Sequence, residues 1–122
     1  MTRLVKSFGF AWNGLSYAWH NEPNFRIETV IGVLAVGLTL WLQAPPVPIL
    51  LCCALVLALE LINSALEAAI DLISPELHPL ARLTKDAGAG AVLVASILAA
   101  IIGVWVLGPP LWAKLSTLLG SS

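Results

Sequence analysis

"LELINSALEAAID", Leu59 to Asp71, is the stretch on which the fold turns. It belongs to a long apolar run, yet Glu60, Asn63, Glu67 and Asp71 interrupt it. At 100° per residue these four positions fall within ~80° of one another and make one polar edge on an otherwise apolar helix. A carboxylate at the middle of a membrane span costs at least ~2.5 kcal/mol on insertion scales, so such an edge must face partners, water or a site.

The rest of the chain makes a membrane the right setting. Of 122 residues, 59% are hydrophobic and 11% charged, and the mean hydropathy is +0.93. Soluble domains carry about 25% charged residues. The composition therefore indicates an integral membrane protein, one domain over residues 1–122, with room for three spans of ~20 residues. A net charge of −1 excludes bulk nucleic-acid binding. Cys52 and Cys53 are adjacent in an apolar run and have no metal or redox spacing, so they read as packing residues. Arg3 and Lys6 look like the start of a secretory leader, but Asn13, Ser16, His20, Asn21 and Glu22 interrupt any apolar core behind them.

Residues 4 to 20 read as an amphipathic helix on the membrane surface. Leu4, Phe8, Trp12, Leu15 and Trp19 form one stripe, and tryptophan suits the headgroup boundary. "NEPNF" breaks this helix at Pro23. The first span is expected over 27–44, closed by the prolines of "APPVP". The second runs over 47–73 and, at ~40 Å, carries its last two turns beyond a ~30 Å hydrocarbon core. "SPELHPLARLTK" reads as a polar loop in which Glu76 is a solvated charge. The third span covers 86–107, with Gly88, Gly90 and Ser96 as small packing positions, and "GPP" closes it. The tail to Ser122 reads as weakly amphipathic or frayed.

With three spans, the N-terminal segment and the 74–85 loop lie on one side. They hold five of the six basic residues, Arg3, Lys6, Arg26, Arg82 and Lys85, which places them in the cytoplasm. Glu60 is then ~20 Å along its span from the outer end, and Glu67 and Asp71 are nearer the cytoplasm. Glu22, Arg26 and Glu28 enter at the same boundary on span one, and Lys85 and Asp86 on span three. Carboxylates backed by Lys and Arg can hold Mg²⁺ against a polyphosphate, and a deeper one such as Glu60 can take a proton from a hydroxyl. Spacing alone leaves three readings open: a polar seam in a non-catalytic membrane oligomer, a catalytic site, and an ion or proton path.

Beyond spacing, "ELINSALEAAID" followed by "SPELHPLARLTKDAGAGAVL" resembles the signature of the prokaryotic diacylglycerol kinase family: E-x-x-N-[ST]-A-x-E-x-x-x-D, six residues, a His, then a K-D pair opening the last span. "SFGFAWNGLSYAWHNEPNFRIE" is similar to the family's surface helix and the segment after it. The match runs from about residue 3 to 107 and rests on separated charged positions that agree in order and spacing. The resemblance implies an all-α membrane protein, a surface helix plus three transmembrane helices, assembled as a homotrimeric bundle in the bacterial inner membrane with its N-terminus cytoplasmic. It implies a lipid kinase that uses ATP and Mg²⁺ to phosphorylate a lipid alcohol, undecaprenol or diacylglycerol, at the cytoplasmic face. Carried over by position, Glu60 matches the catalytic base and Asn63 the amide near the reacting groups. Glu22 and Glu67 match the metal-binding pair, and Lys85 and Asp86 the nucleotide-binding pair. Glu28, Arg3 and Tyr17 lie near the nucleotide, and Asp71 and His78 match positions that hold helix ends and nucleotide.

No G-x-x-x-x-G-K-[ST] loop is present, so side chains and metal must hold the phosphates, with Lys85 the leading cation and Arg82 and Arg26 as helpers. One departure bears on the substrate. The diacylglycerol branch tends to carry Ser where this chain has Ala89, and "NFRI" and "SPELHPLA" look more like the undecaprenol kinase branch, to which this reading leans.

The charge distribution sets a test of topology. In a variant lacking Cys52 and Cys53, a cysteine at position 76 should resist an impermeant thiol reagent until the membrane is opened. A cysteine at position 47 should react in intact cells. Labelling of position 76 from outside would reverse the assignment.

Overall fold

The computed structural model describes residues 2–120, which form four helices: α1 Thr2–Asn21, α2 Pro23–Leu42, α3 Pro46–Ile73 and α4 Pro79–Gly120. α2, α3 and α4 are each long and apolar enough to cross a membrane. The surface helix and first two spans fall within four residues of their expected limits.

Proline sets most of the boundaries. Between α1 and α2 only Glu22 leaves the helical conformation, with φ −116° and ψ 97°, and Pro23 opens the next helix. Proline's missing N–H costs nothing at the first helical position, and its ring forces the preceding residue out of the α region. Glu22 N–H donates to Ala18 O at 2.9 Å, so the break is a corner and not a loop. Arg26 secures it by donating from Nη1 to the carbonyls of Trp19 (2.8 Å) and His20 (3.2 Å), two acceptors that the end of α1 leaves unpaired. Ala18 and Phe25 are buried where the two helices meet. Arg26 is thus engaged in the corner.

At the opposite end, Gln43 reverses the chain in the left-handed region at φ 56°, and Ala44 N–H returns to Thr39 O at 3.0 Å. Pro45, Pro46 and Pro48 then start α3 where backbone donors have no partner in any case. The core of the single chain is sparse: Ile49, Val56, Ala95 and Leu107 are buried, while Leu50, Leu51, Leu55, Ile97, Ile101 and many others are exposed. Lipid provides no hydrophobic drive between helices, so close approach of small residues must hold the bundle. α2 meets α3 where a side chain at Gly32 would come within 3.3 Å of Cys53 Sγ. Cys53 therefore has the packing role expected of it.

α4 departs from expectation at both ends. The expected polar loop over 74–85 is helical from Pro79. His78 caps it, with Leu80 N–H donating to His78 Nδ1 at 3.1 Å, and Pro79 takes the first helical position. "GPP" does not close the span either: α4 continues through Pro109 and Pro110 to Gly120. A proline inside a helix costs ~3 kcal/mol or more by removing a bond and crowding the carbonyl four residues back. Here Gly108 carries no Cβ to clash with the Pro109 ring. The segment beyond is also tied down, with Lys114 Nζ 4.3 Å from the centre of the Trp41 ring and 3.4 Å from Trp41 O. A cation over an indole face is worth about 0.5–1 kcal/mol at an exposed site. The expected frayed tail is helical to Gly120, and its end at Ser122 lies outside the described residues.

The corner yields a stability prediction. Arg26→Met keeps length and apolar bulk but removes both carbonyl contacts. It should destabilise the folded protein by about 1–2 kcal/mol and expose the Asn21–Pro23 junction to protease. A cleavage rate equal to the parent's would mean that Pro23 alone sets the corner.

Candidate active site

The four stripe residues all lie on α3, and α3 brings them to one end of the bundle. Glu60 is 6% exposed, one of two buried polar residues with Thr39. Thr39 satisfies itself by donating to Ala35 O at 2.7 Å. Among the described residues Glu60 has no hydrogen bond or ion pair. The strongest charge acting on it comes from Glu28, followed by Glu22 and Glu67. The helix corner therefore does what the sequence pattern asked of it: it places Glu22 and Glu28 of α2 around the deep carboxylate of α3. Glu22 is the N-cap residue of α2, but its side chain makes no capping bond, which leaves the carboxylate uncommitted.

The basic residues at this end are committed to other groups. Lys85 forms an ion pair and a hydrogen bond with Asp71, which ties the start of α4 to the last turns of α3. Arg82 Nε lies 3.8 Å from Asp86 Oδ2, one turn along the same helix, with both side chains exposed. A pair of that kind is worth only about 0.3–0.5 kcal/mol. Arg26 is bound to the carbonyls of α1. The result is that Glu28, Glu22 and Glu67 act electrostatically on Glu60, and among the described residues none of the four carboxylates has an ion pair.

The remaining expected site residues divide. Lys85 is joined to Asp71 at the end of the stripe, and Asp86 follows Lys85 on α4. His78 holds the start of α4, and in accepting a hydrogen bond at Nδ1 it carries its proton on Nε2 if neutral. Tyr17 is 60% exposed, with its carbonyl accepting from Asn21 at 3.0 Å, five residues from the corner. Arg3 is near the far end of α1, ~27 Å from Asn21 at 1.5 Å per residue, and no ion pair joins it to the carboxylates. His20 bonds through Nδ1 to Ser16 O at 2.7 Å. Glu76 is exposed, and its carbonyl accepts from Ser74 Oγ at 2.9 Å.

Two features escaped the sequence reading. Asn63 Oδ1 is buried and has no hydrogen-bond partner, and it packs directly against Gly88 of α4. A glycine three residues into the last span was a signal for close approach, but nothing in one sequence says which residue it approaches. The Arg26 clamp had a clearer signal, a long cation just after a helix end.

A three-span helical protein with an intramembrane acidic cluster at one boundary is the class that fold and site define. The prokaryotic diacylglycerol kinase family model matches residues 9–107, and the chain belongs to that family. It is 46% identical over 112 residues to a diacylglycerol kinase of Synechocystis sp., covering 88% of this chain and 64% of that protein, so it spans just under two thirds of that relative's length. It is 43% identical over 103 residues to the diacylglycerol kinase of Escherichia coli (strain K12), covering 82% of this chain and 84% of the other. It is 36% identical over 114 residues to the undecaprenol kinase of Bacillus subtilis (strain 168), covering 91% and 93%.

Unneutralised like charges destabilise the state that holds them. Glu67→Gln should therefore raise the unfolding midpoint in metal-free buffer, a gain of about 0.5–2 kcal/mol. A midpoint below the parent's would show that Glu67 has a stabilising partner in the assembled protein.

Proposed function

We propose that this protein transfers the γ-phosphoryl group of ATP to the hydroxyl of a membrane lipid alcohol at the cytoplasmic face of a bacterial inner membrane. The observation that carries the reading is the set of four carboxylates without a cation, next to a Lys–Asp pair where two spans open. A structural seam would neutralise its charges internally. Among the described residues none of these four carboxylates is paired in that way.

The donor set fits Mg²⁺, a hard cation that takes carboxylate oxygens and usually only one or two of them, the rest of its shell being water and phosphate. Among the described residues no three His, Cys, Asp or Glu converge closely enough to cage a metal alone. Glu22 and Glu67 would hold it, and bound there it would offset the charge of the polyphosphate. Lys85 meets the phosphates by exchanging Asp71 for them, and Asp86 and Glu28 border the nucleotide. Arg3 and Tyr17 reach it only if α1 of the same or a neighbouring copy lies across the site.

Glu60 is the base. Its carboxylate takes the proton of the lipid hydroxyl as that oxygen bonds to the γ-phosphorus. The bond from phosphorus to the bridging β–γ oxygen breaks, and ADP leaves with that electron pair. Depth suits the role, because a carboxylate buried among apolar side chains at the boundary reaches a hydroxyl that its lipid chains hold at headgroup level. A homotrimer would cover the open sides of the site.

Diacylglycerol is the favoured acceptor, since the diacylglycerol kinases of Synechocystis sp. and Escherichia coli share more identity with this chain than the undecaprenol kinase of Bacillus subtilis does. Ala89 favours undecaprenol. Purified protein with ATP, Mg²⁺ and each alcohol in mixed micelles decides between them, and the absence of any phosphorylated lipid would favour the non-catalytic oligomer. With the better substrate, Glu60→Gln should lower kcat by roughly 10²-fold or more, as expected for loss of a general base. Near-normal turnover in folded Glu60→Gln protein would remove Glu60 from the role.

A further inference from the structure

A side chain at Gly88 would require the Asn63 amide to move. A Cβ built there would fall on Asn63 Oδ1, inside the distance that carbon and oxygen keep, with Asn63 Cγ at 3.5 Å and Leu66 Cδ1 at 3.7 Å. Gly90 and Gly103 on the same helix would meet nothing within 4 Å, so glycine there answers no contact within the chain. Alanine is the better helix former at any of these positions, and only at Gly88 does the fold oppose it. The atom that opposes it is unusual, a buried amide oxygen with no donor. An unpaired buried acceptor is costly. Asn63 is also one turn from Glu60 on the same edge of α3.

We propose that Gly88 is a positioning residue for the reaction: it lets the Asn63 amide seat against α4, one turn from Glu60, with its oxygen left without a donor among the described residues. The proposal rests on the kinase reading for its chemistry, and its geometry stands apart from that reading. A methyl group at 88 pushes the amide out of the seam or forces α3 and α4 apart. Lys85, one turn earlier on α4, keeps its pair with Asp71 in either case, so the nucleotide end of the site changes less than the reacting end.

A double-mutant cycle of Gly88→Ala and Asn63→Ala tests this, because Asn63→Ala deletes both nearest atoms and leaves only Leu66 Cδ1 at 3.7 Å, an ordinary contact. In the parent background Gly88→Ala should lower the unfolding midpoint. In the Asn63→Ala background it should leave the midpoint unchanged or raise it, as helix propensity dictates. Kinetically, Gly88→Ala alone should lower kcat at least tenfold with less than a twofold change in KM for ATP. Added to Asn63→Ala, it should change kcat less than twofold.

Equal midpoint shifts in the two backgrounds, or kcat losses that multiply, would overturn the proposal. If Gly88→Ala alone does not fold, recovery of folded protein by adding Asn63→Ala supports it, and failure to recover refutes it. Should the parent chain phosphorylate no lipid alcohol, the functional reading falls, while the midpoint cycle still decides whether Gly88 seats Asn63.

Discussion

Negative charge held at a membrane boundary without a counter-ion is the constraint around which this molecule is arranged. Glu22, Glu28 and Glu67 bear on Glu60, and the cations able to answer them are engaged with other groups: Arg26 with the carbonyls of α1, Lys85 with Asp71 and Arg82 with Asp86. Each of those engagements also does structural work. The first fixes the helix corner that delivers Glu22. The second ties α3 to α4 beside the stripe. The protein thus uses these cations to build the frame and leaves the four carboxylates without an ion pair among the described residues.

The two routes into the site are of different kinds. Polar atoms cluster where α2, α3 and α4 share one end, around the corner at Glu22 and the short link between α3 and α4. The rest of the three-helix contact is apolar, and a cavity of about 340 Å³ runs along it from Glu28 past Cys53, Val56 and Ser96 to Leu107. A water-soluble polyphosphate and a lipid tail make opposite demands on solvent. A deep carboxylate at the junction of a polar end and an apolar seam meets both without a moving domain.

Much of this was legible because the signals are chemical and local. The 3.6-residue period of Glu60, Asn63, Glu67 and Asp71 gave the polar edge, Pro23 gave the corner, and the prolines after Ala44 gave the tight turn. The misreadings share a cause. In sequence Pro79 reads as part of a loop and Pro109–Pro110 as a stop, since proline signals a break, whereas its effect depends on position. At Pro79 it opens a helix that His78 caps. At Pro109 it follows a glycine, and the helix beyond is held by Lys114 on Trp41. Pairings across helices, such as Gly88 with Asn63 or Lys85 with Asp71, depend on the register of two helices and have no trace in a single sequence.

From Thr29 to Leu59 the chain carries no ionisable side chain except the two thiols, and the tight turn at Gln43–Pro45 falls in the middle of that stretch. During insertion, therefore, α2 and α3 can enter the bilayer together as a closed hairpin. Its tip crosses the hydrocarbon without carrying a charge, while the acidic cluster never leaves the side on which it was made. α4 must take one cation, Lys114, to the far side. There the indole and carbonyl of Trp41 receive it. The end of α2 thus receives the single cation that α4 carries beyond its apolar run.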